Sequence, residues 1–170
     1  MKKIFGLFVA FTLVLSIVGC SSADNNKEEN KVEEKAAGLT EQIESKVYNT
    51  VRVAELKVNE VFHKAVAADE ETPIINPSFA DEATAVGFLS TYYSEEVAKE
   101  IYSHYATADK TAEGQMIVKA DTYFTPSFLE TTQDSVTIEG DDKKSTVKTD
   151  GITYTVELKD EKYIVTGVEK

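Results

Sequence analysis

The stretch from Val136 to Val168 constrains the fold more than any other part of this chain. Val136 and Ile138 alternate with polar neighbours, Gly140-Asp141-Asp142 makes a turn, and Thr146 to Lys148 follows. Asp150-Gly151 is a hairpin signal, because both residue types tolerate the positive φ angles of a tight turn. Ile152, Tyr154, Val156 and Leu158 then alternate, and Lys159 to Lys162 turns the chain into Tyr163 to Val168. A period of two sends successive side chains to opposite faces, so each segment has one core-facing side. The pattern predicts a four-stranded antiparallel meander.

Ahead of the meander the period is helical. Thr40 can cap, with Glu41 in the first turn where the helix dipole favours negative charge. Ile43, Val47, Val51, Ala54, Val58, Val61 and Ala65 recur at spacings of three and four, predicting one amphipathic helix over 40–68. The stripe also fits a coiled-coil seam, but a core helix is the better reading for one domain of this length. Asp69-Glu70-Glu71, Thr72-Pro73 and Asn76-Pro77 end it, since a residue before proline is pushed out of the helical region. A second helix is expected over 81–92. Ser94-Glu95-Glu96 opens a third, with Val97, Ile101 and Tyr105 as its inner row. Met116 to Val118 reads as a short strand, and Thr125-Pro126 as a capped start to a helical turn reaching Glu130. Helices first and strands later imply an α+β domain over 39–170, its N-terminal helices packed on a curved antiparallel sheet ending in the four-stranded meander.

The 170 residues include 30 acidic and 18 basic side chains, a formal charge of −12. That balance argues against a nucleic-acid partner, which requires clustered Lys and Arg. A single cysteine excludes an intramolecular disulfide framework and a Cys-rich zinc site. At the N-terminus, Lys2 and Lys3 precede an apolar run from Ile4 to Val18, too short for an ordinary membrane span and suited to a signal peptide over 1–19. Ile17-Val18-Gly19-Cys20 then resembles the bacterial lipobox, with Ile17 in place of the commoner Leu. The resemblance implies that Cys20 accepts a diacylglyceryl group and becomes the mature N-terminus on the extracytoplasmic face of the cell membrane. Two acyl chains suffice for stable anchoring. Removing Lys2 and Lys3 takes the charge from −12 to −14. Residues 21–38 hold one large apolar side chain, Val32, and read with Cys20 as a tether spanning roughly 23 Å as a flexible coil.

Chemical motifs are sparse. No Gly-rich phosphate loop, serine elbow or His-Glu-x-x-His helix occurs. His63 and His104 each follow an acid by about one turn, Glu60 and Glu100, yet acids abound here and both read as ordinary boundary histidines. Asp69-Glu70-Glu71 and Asp141-Asp142 lack the oxygen array of a calcium loop, so no metal or cofactor is expected. Tyr92, Tyr93, Tyr102, Tyr105 and Tyr123, with His104, form the candidate binding surface or pocket, since tyrosine combines contact area with a polar tip. The competing role for them is core filler in a chain without tryptophan.

The order of long helix, helix pair, short turn and meander resembles small extracytoplasmic cystatin-like domains of the nuclear-transport-factor-2-like type. The segment GDDKKSTVKTDGITYTVELKDEKYIVTGVE carries that resemblance, with Tyr163 where many relatives have Trp. Phe88 to Tyr105 is distantly similar to the middle helices of the endopeptidase-inhibitor family of Bacillus-type cells. The lipobox and the sparse motifs point to a lipid-anchored, non-enzymatic domain that binds a protein or small ligand, and the family resemblance implies modulation of a cell-envelope enzyme as one version of that role. The acidic surface fits a basic envelope protein or peptide as partner. The alternative is a small pocket enzyme using Asp or Glu, Tyr and His104 in acid-base chemistry.

Overall fold

The computed structural model describes residues 39–170; the expected signal peptide, Cys20 and the tether lie outside the described residues. Helix α1 (Glu41–Phe62) begins at Thr40, whose hydroxyl accepts the Ile43 N–H, with Glu41 and Glu44 in its first turn. Val47, Val51, Ala54, Val58, Val61 and Phe62 form its buried face. Valines are weak helix formers, so burial, at about 1.5–3 kcal/mol for a full-sized apolar side chain, holds this helix.

The helix stops at Phe62, short of the expected 68. Asn76 ends it by donating its side-chain amide to the Glu60 carbonyl (3.0 Å) and its backbone N–H to the Val61 carbonyl (2.9 Å). Terminal carbonyls that would lack partners are thereby satisfied from a distant loop. The freed residues form β1 (Ala65–Val66), which pairs with β2 (Pro73–Ile74).

Helix α2 (Glu82–Leu89) is capped by Asp81, and α3 (Glu95–Tyr105) by Ser94 with Glu95 and Glu96 following. The second helix ends at Leu89 rather than 92, because residues 92–94 dock on a strand edge. The Tyr92 carbonyl accepts the Val165 N–H (2.9 Å), and the Ser94 N–H donates to the Val165 carbonyl (2.8 Å). Strand β3 (Ala106–Lys110) continues directly from α3 and pairs with β4 (Met116–Val118). These short strands make a sheet of order β1-β2-β4-β3, of which the sequence pattern showed only β4.

The expected meander forms the second sheet, in the order β5 (Thr137–Gly140), β6 (Lys144–Lys148), β7 (Thr153–Lys159), β8 (Lys162–Glu169). Asp150 and Gly151 sit at one hairpin tip, and Asp160 and Glu161 at the next, where both adopt positive φ (47° and 63°). Thr155 pairs with Gly167 and Val156 with Val165, leaving Thr166 as an extra residue in β8. Such a bulge bends and twists the strands. Helices α1 and α3 both pack against β8. The protein is an α+β domain: N-terminal helices lie on an antiparallel sheet that ends as a four-stranded meander.

Candidate functional site

The end of α1, the end of α3 and the 121–128 loop meet around Tyr105. Its ring stacks on Phe62 (centroids 4.5 Å apart, planes at 17°) and is 1% exposed. Its hydroxyl accepts the Tyr123 backbone N–H (2.8 Å) and shares a 3.0 Å hydrogen bond with His63 Nε2. His104, the neighbour of Tyr105 on α3, sets its ring edge-on to Tyr105 (4.8 Å) and Tyr123 (5.3 Å). Its Nε2–H donates to the Asp121 carbonyl (2.9 Å), because a carbonyl can only accept. The two histidines, distant in sequence, therefore flank one tyrosine. Partial burial, then the nearby His104 charge, pulls the His63 pKa below the ordinary imidazole value.

Tyr123 is buried, and burial followed by the Glu100 carboxylate pushes its hydroxyl up to about 12. Lys170 Nζ lies 3.3 Å from its ring centroid, a cation–π contact. Tyr93, in the docked 92–94 segment, is fully buried, and its hydroxyl is pushed well above its ordinary value, chiefly by burial. Tyr102, half-buried, tilts against the Phe62 ring (centroids 6.2 Å apart) with its hydroxyl directed at the Met116 sulfur (3.9 Å). Tyr92 packs instead against Phe88, Lys57 and Lys162. Of the six residues singled out from the sequence, His104, Tyr105 and Tyr123 thus form one cluster. Tyr93 belongs to the core, Tyr102 borders the cluster through Phe62, and Tyr92 packs elsewhere.

Glu55 is the polar residue that the sequence pattern hid. It sits on the buried face of α1 in the row Val51, Glu55, Val58, Phe62 and is 4% exposed. The only signal was its position: helical spacing puts residue 55 inside the apolar stripe. Its carboxylate accepts the Ser127 hydroxyl and the Phe128 N–H (2.9 Å), so it holds the start of the 3₁₀ turn Phe128–Glu130. That anchor explains why the turn is capped by Ser127 and does not begin at Pro126. Burial raises the Glu55 pKa, against the opposing pull of the two hydrogen bonds and of Arg52. A cleft of about 440 Å³ opens beside it, lined by Glu55, Asn59, Tyr105, Phe124, Thr125 and Glu130 among others.

This arrangement brings a carboxyl and a phenol to one cleft, but both are occupied. Glu55 is bound at each oxygen, and the Tyr105 hydroxyl serves two partners. Among the described residues, no three His, Cys, Asp or Glu side chains converge to hold a metal ion. A larger groove of about 520 Å³ lies between α2 and α3, beside Val86, Gly87 and Ser90, and contains none of the six selected residues. Comparison with protein-family models, curated proteins and solved structures finds no match to this chain.

Proposed function

We propose that this chain is a lipid-anchored, extracytoplasmic binding protein whose α+β domain engages a basic envelope protein or peptide and so modulates a cell-envelope enzyme. The observation that carries the reading is the internal use of the acid-base groups. The Tyr105 hydroxyl, the His104 Nε2–H and both Glu55 oxygens are bonded within the fold. A proton donor or acceptor must reach substrate at hydrogen-bond distance, and these atoms already hold the fold in place. The lipobox supplies the anchor, and the −14 charge of the chain without Lys2 and Lys3 supplies long-range attraction for a cationic partner.

Crosslinking on intact membranes tests both parts. Wild type is expected in the membrane fraction and Cys20→Ala outside it. Crosslinks to a basic partner should weaken from 0.1 M to 1 M salt, as the screening length falls from about 10 Å to about 3 Å. Retention of Cys20→Ala in the membrane defeats the anchor. Salt-insensitive crosslinks defeat the electrostatic partner.

A further inference from the structure

We propose that the groove between α1, the α2–α3 turn and the β7–β8 hairpin docks an acidic peptide segment of a partner protein. An apolar side chain of that segment packs on Val53 and Tyr92, and its carboxylates meet Lys46 and Lys162.

The groove, about 440 Å³, takes Lys46, Asn49 and Val53 from α1, and Tyr92, Lys162 and Tyr163 from the facing wall; Glu161 and Thr50 complete its lining. Residues 46, 49, 50, 53 and 57 follow helical spacing, so they share the outward face of α1. An amphipathic helix ordinarily keeps its large aliphatic side chains on the buried side. Here Val53 (39% exposed) and Leu56 (47%) stand outside it.

The cation on the facing wall is preset. Lys162 Nζ donates to the Thr91 carbonyl and sits 4.6 Å from the Tyr92 ring centroid. An ammonium carries three N–H donors, so two remain for a ligand without a new rotamer being frozen. Neither Lys46 nor Lys162 has a carboxylate within 4.0 Å among the described residues. Lys57, a third cation 5.8 Å from Tyr92, is already neutralised by Glu60 at 2.8 Å. Against two unpaired lysines the groove presents one carboxylate, Glu161. It is a cationic, part-apolar site on a strongly acidic chain.

Charge complementarity selects the occupant. A basic segment would meet Lys46 and Lys162 head-on. A second copy of the processed chain would bring another −14 of charge, and two exposed aliphatic side chains fall far short of the roughly 800 Å² per partner of a stable interface. A short segment with carboxylates around one apolar residue satisfies both kinds of wall. The volume lies in the range of about 300–1,000 Å³ typical of ligand sites. The proposal goes beyond the basic-partner reading: the overall field attracts a basic protein, and this groove selects an acidic element on it.

The test uses the full-length protein in detergent micelles and fluorescein-labelled peptides read by anisotropy. The probes are acetyl-Glu-Glu-Leu-Phe-Glu-Glu and the same peptide with every Glu replaced by Gln. The acidic peptide should bind at least tenfold more tightly than the Gln peptide. Lys46→Glu, Lys162→Glu and Val53→Asp should each weaken it at least tenfold, and Lys46→Ala, which keeps a good helix former, about threefold or more. Lys99→Glu, outside the groove, should change nothing. Absence of acidic-peptide binding, equal binding of the two peptides, or indifference to the Lys46 and Lys162 variants overturns the proposal. Concentration-dependent dimerisation lost in Val53→Asp also overturns it, assigning the face to a second copy. None of these results bears on salt-sensitive crosslinking, which tests the basic partner separately.

Discussion

Tyr105 and Tyr154 should respond with opposite signs to the loss of a single oxygen. Both are 1% exposed and lie in the aromatic part of the core. The Tyr105 hydroxyl accepts a buried backbone N–H from Tyr123 and bonds His63, whereas the Tyr154 hydroxyl is buried with no hydrogen-bond partner among the described residues. Tyr105→Phe strands the Tyr123 N–H, at about 1–3 kcal/mol, and removes the His63 bond, at about 0.5–1.5 kcal/mol. A loss of about 1.5–4.5 kcal/mol is expected. Tyr154→Phe removes a polar atom whose desolvation nothing offsets, so it should be neutral or stabilising by up to about 2 kcal/mol. Its ring contacts with Phe124 and Phe128 remain. Urea unfolding followed by circular dichroism reads both, with unchanged denaturant slopes as the sign that only stability moved. Equal losses in the two variants would refute the reasoning, because they would show that a partner's presence does not decide the cost of a buried hydroxyl here.

Glu55 should make stability depend on pH. Its folded pKa lies above the ordinary 4.5, so between the unfolded and folded values the native state holds the extra proton. The contribution of this group is therefore fully present below about 4.5 and is lost as pH rises through the folded value. Wild-type stability minus that of Glu55→Gln, from urea titrations at pH 4 to 8, should fall with pH; a flat or rising difference contradicts the assignment. Gly140 holds φ +124°, and a Cβ there would lie 2.3 Å from the Lys144 carbonyl oxygen. Gly140→Ala should lower stability by about 2 kcal/mol or more, through strain and displacement of the β5–β6 turn. A Tm within a degree of wild type would show that the turn adapts.

Legibility followed the range of the interactions involved. The β5–β8 meander and the caps at Thr40 and Ser94 were readable because alternation, turn chemistry and N-capping act over a few residues. The ends of α1 and α2 were not, because Asn76 and Val165 set them from afar through hydrogen bonds. Strands β1 and β2 are two residues each, too short for any period. Of the site, tyrosine content was visible but its sorting was not. Tyr92 and Tyr93 are neighbours in the chain, yet one is half-exposed beside Lys162 and the other fully buried.

By itself, then, the order of residues determined the α+β class, the meander and its turns, the acidic charge and the lipobox expectation at Cys20. Each of these depends on composition or on neighbours within a helical turn or a strand pair. Only the tertiary structure decided that His63 and His104 share Tyr105, that Glu55 anchors Ser127 and Phe128 from inside an apolar stripe, and that Lys162 stands over Tyr92 across from Val53. The first two groupings depend on the packing of α1 and α3 against the sheet, and burial there raises the pKa of Glu55 and of Tyr105 and lowers that of His63.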